Sequence, residues 1–359
     1  MAACFQNHHR RIQKMTRTWG RRLARIAGYA VFVLLVVASL AITFTVGWRT
    51  VIGARTRPLT ARTFQPTAER MRRGEYLVHS VARCMGCHAK YDEKAEHQKG
   101  ERPVPVSKDG AGAALFHDGP ISVVAPNITS DPETGLGKWS DDAIARAIRE
   151  GIADDGRVLL PVMPYENFRQ MSDEDVASVV VFLRTLPPVR STLAPTKVPF
   201  LLTRLFQSVP QPVTSPVPEP DRSTPTRQGS YLARMGSCSG CHTPRTPQFR
   251  LIPGMEMAGG NLMTWGKTVA TVNLTPDPSG IVYYDDVLFI ETMRTGYVRG
   301  RQLNSMMPWW VYGNMTDDDL KALFAYLRTL QPVHHEVDNT ETPVPCKLCG
   351  NRHGLGNRN

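Results

Sequence analysis

Two short runs place cysteine and histidine at a spacing that can do chemistry: Cys84-Met85-Gly86-Cys87-His88 and Cys238-Ser239-Gly240-Cys241-His242. Cysteines three apart on one helical turn face the same way, so two thiols can meet the two vinyl groups on one edge of a porphyrin. The histidine that follows can bring its imidazole under the ring as an axial iron ligand. C-x-x-C-H is the attachment signature of a c-type haem, although one copy alone would equally suit a zinc half-site or a redox dithiol. Two copies, each inside a repeated unit, decide for haem. The sequence predicts two haem c groups, one on Cys84 and Cys87 with His88, the other on Cys238 and Cys241 with His242.

An iron held by His88 or His242 keeps one face, and what fills it separates electron transfer from catalysis. Met163 lies 75 residues after His88, and Met307 lies 65 after His242. Each precedes a proline and then an aromatic residue, Tyr165 or Trp309. A lone Met is usually core filler. Here the same Met-Pro recurs seven residues after Gly156-Arg157 and seven after Gly300-Arg301, which rejects the neighbouring Met306. Met163 and Met307 are therefore the expected sixth ligands, and the chain is expected to be an electron carrier and not an enzyme. The competing reading is a dihaem cytochrome c peroxidase, which needs one iron without such a ligand; a zinc-binding structural module is a third.

A third C-x-x-C pair, in Cys346-Lys347-Leu348-Cys349-Gly350-Asn351-Arg352-His353, lacks the adjacent histidine. Three readings stay open for it. They are a local disulfide in an oxidising compartment, a metal clip of Cys346, Cys349, His353 and one of His334 or His335, and an unusual haem site. Asn127 and Asn273 head N-x-T triplets and read as loop-structuring residues more than glycosylation sites. Arg149 and Arg294 are candidates for haem propionates or for a solvated helix face, and Trp139 for a pocket wall or core.

The elements that must position these residues occur twice. Gly74-Glu75-Tyr76-Leu77 precedes the first haem motif and Gly229-Ser230-Tyr231-Leu232 the second. Asn127-Ile128-Thr129-x-Asp131-Pro132 matches Asn273-Leu274-Thr275-x-Asp277-Pro278, and Leu183-Arg184-Thr185-Leu186 matches Leu327-Arg328-Thr329-Leu330. The last helix of each unit starts at a capping-box-like Ser172-x-x-Asp175 or Thr316-x-x-Asp319. Val176, Val179, Val180 and Leu183, and likewise Leu320, Leu323, Phe324 and Leu327, then form a stripe at helical spacing. That stripe is expected to pack on the haem-motif helix. No clear alternation of period two appears, so the expected fold is all-α, with units at 74–190 and 229–334. The intervening 191–228 holds eight Pro and reads as an extended linker. Its apolar island, Phe200 to Phe206, is expected to pack across the two units or to contact a partner or membrane.

The net charge of +11 says little about partners. Residues 1–25 carry seven Lys and Arg and no acid, and subtracting these seven leaves +4 for the remaining 334 residues. That surface does not suggest nucleic-acid binding. After this basic tail, Ile26 to Trp48 run 23 residues without a charge. At 1.5 Å per residue this is about 34 Å of helix, enough for a hydrocarbon core of about 30 Å. The basic tail keeps the N-terminus cytoplasmic. A cleaved signal peptide is the alternative. Residues 335–359 form a C-terminal tail.

With these motifs in place, the chain resembles the membrane-anchored multihaem cytochrome c subunits of bacterial periplasmic dehydrogenases of the alcohol, gluconate and sugar type, over about residues 74–334. The resemblance implies two tandem class I cytochrome c domains after one N-terminal transmembrane helix, with His/Met haems. It further implies an inner-membrane protein whose haem domains are periplasmic and relay electrons from a dehydrogenase subunit toward quinone or an oxidase. Those subunits typically carry three C-x-x-C-H motifs, and this chain has two.

Overall fold

The computed structural model describes residues 2–90, 109–246, 251–265 and 267–359, with backbone alone at 2–18, 20, 21, 265 and 267. Cys4 and the basic side chains Arg10, Arg11, Lys14, Arg17 and Arg21 thus lie outside the described ones. Basic tail and apolar run form one continuous helix, α1 (Ala2–Phe44). Within it Arg22–Phe44, 23 residues, is long and apolar enough to cross a membrane by length and composition. The helix stops before the expected Trp48. Gly47, at φ 77°, donates its N–H back to the Ile42 carbonyl at 2.7 Å, a glycine stop in which the left-handed residue satisfies an open carbonyl. A short turn, α2 (Arg49–Ile52), follows.

The first unit begins with α3 (Ala68–Tyr76), a π-type turn (Leu77–Val81) and α4 (Cys84–His88), which carries the first motif. A hairpin of β1 (Ala113–Asp118) and β2 (Ile121–Ala125) comes next, then α5 (Asp141–Glu150), α6 (Tyr165–Phe168) and α7 (Asp173–Thr185). The linker contributes α8 (Phe200–Phe206). The same order then recurs: α9 (Pro225–Met235), α10 (Cys238–His242), β3 (Leu262–Trp265), β4 (Lys267–Ala270), α11 (Asp286–Thr295), α12 (Trp309–Tyr312) and α13 (Asp317–Leu327). A small ladder of β5 (Tyr297–Val298) with β6 (Arg301–Gln302) lies within the second unit. Another, of β7 (Val344–Pro345) with β8 (Arg352–His353), lies in the tail.

These four antiparallel two-stranded ladders correct the strand-free expectation; the scaffold is helical, but not all-α. The missed signal in the first was Gly119-Pro120, the two-residue loop between paired Asp118 and Ile121, with Gly119 at φ 53°. A bulge between Ala114 and Phe116 blurs the alternation that would have exposed it.

The helix stripes are buried as their spacing requires, with Val176, Val180 and Leu320 at 0% exposure. Their partner differs from the one expected. α7 packs on α3 and α13 on α9, the helices ahead of the motifs and not the motif helices themselves. The crossings are close because glycine sits at them. A Cβ on Gly74 would collide with the Ser178 carbonyl oxygen and the Phe182 Cβ, and one on Gly229 with the Ala322 carbonyl. This is the physical meaning of the repeated Gly-x-Tyr-Leu.

The two units share one apolar cluster, which includes Leu77 and Val180 of the first and Leu232 and Leu323 of the second. They also cap each other's last helix. Ser172 and Thr316 accept from the Asp175 and Asp319 amides, as a helix N-cap should. The return bond of a capping box is supplied from across the interface. The Ser172 amide donates to the Tyr231 hydroxyl at 3.2 Å, and that hydroxyl donates to Asp175 at 2.7 Å. The mirror set joins the Thr316 amide to the Tyr76 hydroxyl at 3.2 Å and Tyr76 to Asp319 at 2.5 Å.

The apolar island of the linker does not span the units. α8 is tied to α2, with Arg204 Nε donating to the Thr50 carbonyl at 2.6 Å and the Ala54 amide to Gln207 at 3.2 Å. Phe200 and Leu201 remain 73% and 75% exposed.

Candidate functional site

Each haem-motif helix is a single turn entered from a left-handed residue, Arg83 at φ 46° and Ser237 at φ 57°. That entry breaks the preceding helix and turns the Cys-x-x-Cys edge inward. The four cysteines Cys84, Cys87, Cys238 and Cys241 are free thiols. Burial pushes the Cys84 and Cys238 thiols up to about 12, so they are neutral at physiological pH. The two histidines are held alike. Nδ1 of His88 lies 2.7 Å from the Pro126 carbonyl, and Nδ1 of His242 lies 2.8 Å from the Val272 carbonyl. A carbonyl can only accept, so Nδ1 carries the proton and Nε2 keeps its lone pair for a metal. Burial lowers both imidazole pKa values, which favours the neutral, ligating form.

A loop closes behind each motif. The Gly112 amide donates to the His88 carbonyl at 2.8 Å, and the Gly259 amide to the His242 carbonyl at 2.7 Å. Asn127 and Asn273 organise the next loop. Each accepts from the Thr two residues on and donates to the carbonyl of Val189 or Val333, pinning the loop to the segment that closes the unit. Both are buried, which removes them as glycosylation acceptors.

Met163 and Met307 stand at equivalent corners. Tyr165 N donates to the Met163 carbonyl at 2.8 Å and Trp309 N to the Met307 carbonyl at 2.7 Å. Pro164 and Pro308 share φ values of −80° and −79°. The aromatic ring that follows lies on the glycine ending α5 or α11. A Cβ on Gly151 would approach Tyr165 to 2.6 Å, and one on Gly296 would strike Trp309. Both methionines are partly buried against the apolar cluster, as is Trp139.

Arg149 does not lie on a solvated helix face. Arg149 is 4% exposed and donates to the Met171 carbonyl and to Asp173, at 3.1 and 2.7 Å. Arg294 likewise bonds the Gly313 carbonyl and Asp317. They tie α5 and α11 to the start of the last helix of their units.

Three residues had no signature in the sequence. Tyr312 donates to the Gly236 carbonyl just ahead of the second motif. Arg83, which enters the first motif, stands beside Gly86, and a Cβ on Gly86 would lie 3.8 Å from Val311, the neighbour of Tyr312. α12 of the second unit thus lies against both motif segments. Arg169 follows Met163 in the chain, and its Nε and Nη2 are buried with no hydrogen-bond partner among the described residues, so they are available to an acidic group. Neutral histidines with free Nε2, thiols at i and i+3 and this orphaned donor are a set that fits a covalently attached haem.

In the tail, Cys346, Cys349 and His353 come together with His335. His334 faces away, 3.3 Å from Asp277.

Residues 72–187 match the family model described as Cytochrome c. The chain is 30% identical to the "Diheme cytochrome c-type" protein of Cereibacter sphaeroides over 73% of this chain and 86% of that one. It is 26% identical to the "Fructose dehydrogenase cytochrome subunit" of Gluconobacter japonicus, over 77% of this chain and 55% of that protein. It is also 30% identical to a nicotinate dehydrogenase subunit of Pseudomonas putida, over 70% of this chain but 19% of the longer protein. The chain thus spans about a fifth of the nicotinate dehydrogenase protein and about half of the fructose dehydrogenase one. Such relatives imply covalently bound haem c and electron transfer. The chain belongs to the cytochrome c family.

Proposed function

We propose that the chain is a membrane-anchored relay holding two haem c groups, one in each of two tandem cytochrome c domains at 74–190 and 229–334. Cys84, Cys87 and His88 with Met163 would hold the first, and Cys238, Cys241 and His242 with Met307 the second. When bound, haem supplies a one-electron iron couple. The protein's part is to fix both axial positions, keep water from the iron and set the distance between the sites.

The observation that carries this reading is that α12 lies against both motif segments, Tyr312 bonding the Gly236 carbonyl and Val311 standing beside Gly86. Groups held at the two motifs would then be fixed relative to each other through one short helix. The shared apolar cluster and the reciprocal tyrosine caps hold that distance fixed. Methionines at equivalent rigid corners speak for saturated irons and against peroxidase chemistry. The dehydrogenase cytochrome subunits among the relatives make a dehydrogenase the proposed donor, with quinone or an oxidase on the far side. The exposed apolar helix α1 is the proposed inner-membrane anchor, with the haem domains in the periplasm.

The test is the haem-to-protein ratio of purified protein after acid-acetone extraction. A ratio near two is expected, falling to near one when Cys84 and Cys87, or Cys238 and Cys241, are replaced by Ala. A ratio near one in the unaltered chain sinks the two-haem relay.

A further inference from the structure

We infer that the C-terminal segment closes a tetrahedral Cys2His2 site for one divalent zinc ion, built from His335, Cys346, Cys349 and His353, which fastens the tail over the second haem-motif loop. All four side chains are buried, at 0, 3, 2 and 2% exposure, and their ligand atoms all lie within 4.8 Å of one another. Cys346 Sγ stands 3.4 Å from His335 Nε2, and Cys349 Sγ stands 3.3 Å from His353 Nε2. With zinc–sulfur bonds of about 2.3 Å and zinc–nitrogen bonds of about 2.0 Å, a tetrahedron has sulfur–nitrogen edges of about 3.5 Å.

The surroundings are those of a ligand set. Nδ1 of His335 faces the Ala258 carbonyl at 2.8 Å and Nδ1 of His353 the Gly354 carbonyl at 3.0 Å. Both protons are thereby placed on Nδ1, and both Nε2 lone pairs turn to the thiols. The Cys346–Cys349 turn is closed by the Gly350 amide on the Cys346 carbonyl at 3.0 Å, with Gly350 at φ 72°. Gly260 leaves the space: a Cβ there would strike the His335 ring and come within 3.1 Å of Cys349 Sγ.

The alternatives fit less well. A disulfide would leave two buried imidazole nitrogens aimed at sulfurs that no longer donate. A haem needs a histidine where Gly350 stands. A two-iron cluster of this ligand type puts its thiolates and its imidazoles on different irons. Cross pairs at 3.3 and 3.4 Å leave room for one ion only. Four protein ligands saturate a tetrahedral zinc, which makes the site structural and not catalytic.

Its effect follows from position. The apolar cluster between tail and second unit is small (Met255, Ala258, Cys346 and Cys349), and the tail's ladder pairs two residues with two. An ion supplies what so little burial does not. Through His335 it grips the Ala258 carbonyl, and the next residue, Gly259, bonds the His242 carbonyl. The first unit carries no such clip among its described residues.

Elemental analysis of the full-length holoprotein is expected to find one zinc per chain beside the haem iron, with X-ray absorption at the zinc edge showing two sulfur and two nitrogen neighbours. His335→Ala should abolish zinc binding and His334→Ala should leave it intact, both with the haem ratio unchanged. If the variants fail to fold, unaltered protein decides. Denatured with chelator and without reductant, it should release zinc and expose two alkylatable thiols at Cys346 and Cys349. A Cys346–Cys349 disulfide in that digest, zinc well below one per chain, or zinc retained by His335→Ala overturns the assignment. Haem ratios from the same samples keep this outcome separate from the relay.

Discussion

At Met163 and Met307, the proposed sixth ligands, one thioether in each unit would carry the difference between a carrier and an enzyme. Replacing either with Ala should open one iron to water, lower its potential and let it bind carbon monoxide, while the other haem keeps its spectrum. A tenfold loss of preference for the reduced state corresponds to about 59 mV for a one-electron couple, so a redox titration resolves even a partial effect. Unchanged spectra and potentials in both variants would remove the ligand assignment and revive peroxidase chemistry. Asp142 offers a second test on a single group. It is 1% exposed and binds Arg57 in a bidentate pair at 2.7 and 2.8 Å, with the Thr60 amide at 2.8 Å. Desolvation alone would raise its pKa, but the Arg57 and Thr60 bonds outweigh it and the pKa is lowered. A lowered carboxylate contributes stability above its unfolded pKa of about 3.9 and loses it as pH falls through the folded value. Exchange of the Thr60 amide, corrected for its intrinsic rate, should therefore accelerate only below that range, and at pH 7 in Asp142→Asn. Equal protection in Asp142→Asn at pH 7 would show that the tether rests elsewhere.

At the level of elements, the units are joined by two tyrosines that complete each other's helix caps. Tyr76→Phe and Tyr231→Phe each remove one bond from a buried carboxylate, which keeps Gln228 or Arg73, and leave an N-cap amide without its partner, which costs about 1–3 kcal/mol. Each should lower the midpoint of denaturant unfolding. Because the bonds lie between units, each should also slow electron transfer between haems more than it alters either potential. Stability equal to the unaltered protein would mean that the apolar cluster alone holds the units. Gly74→Ala and Gly229→Ala act within a unit, forcing apart α3 and α7 or α9 and α13; overpacking of this kind costs about 1–3 kcal/mol. A crossing that tolerated Ala with no loss of thermal stability would refute the close-contact account.

For the whole molecule, the proposed anchor and the haem domains meet at an apolar rim. α1 leaves Leu34 and Leu35 68% and 62% exposed, and α8 with α2 adds Phe200, Leu201 and Ile52 beside its end. Removing residues 1–48 should release the protein from the membrane, and Phe200→Ser with Leu201→Ser should weaken rebinding of that shortened protein to lipid vesicles. Protease added to spheroplasts should digest both haem domains. Protection of both would reverse the proposed orientation, and full membrane retention without residues 1–48 would move the anchor elsewhere.

The sequence alone determined the cofactor chemistry and the duplication, because both live in local spacing: Cys-x-x-Cys-His within one helical turn, and Gly-x-Tyr-Leu, Asn-x-Thr and Met-Pro at repeated offsets. The buried faces of α7 and α13 were legible for the same reason, since helical period is a local property. Pairings between distant residues were not. Nothing local says that Tyr231 caps α7, that Arg149 ties α5 to the start of α7, or that α7 meets α3 in preference to α4; those depend on where the chain returns. Nor could spacing choose between His334 and His335. Adjacent residues in extended chain point opposite ways, and only the folded tail turns His335 inward onto Cys346 and leaves His334 to Asp277.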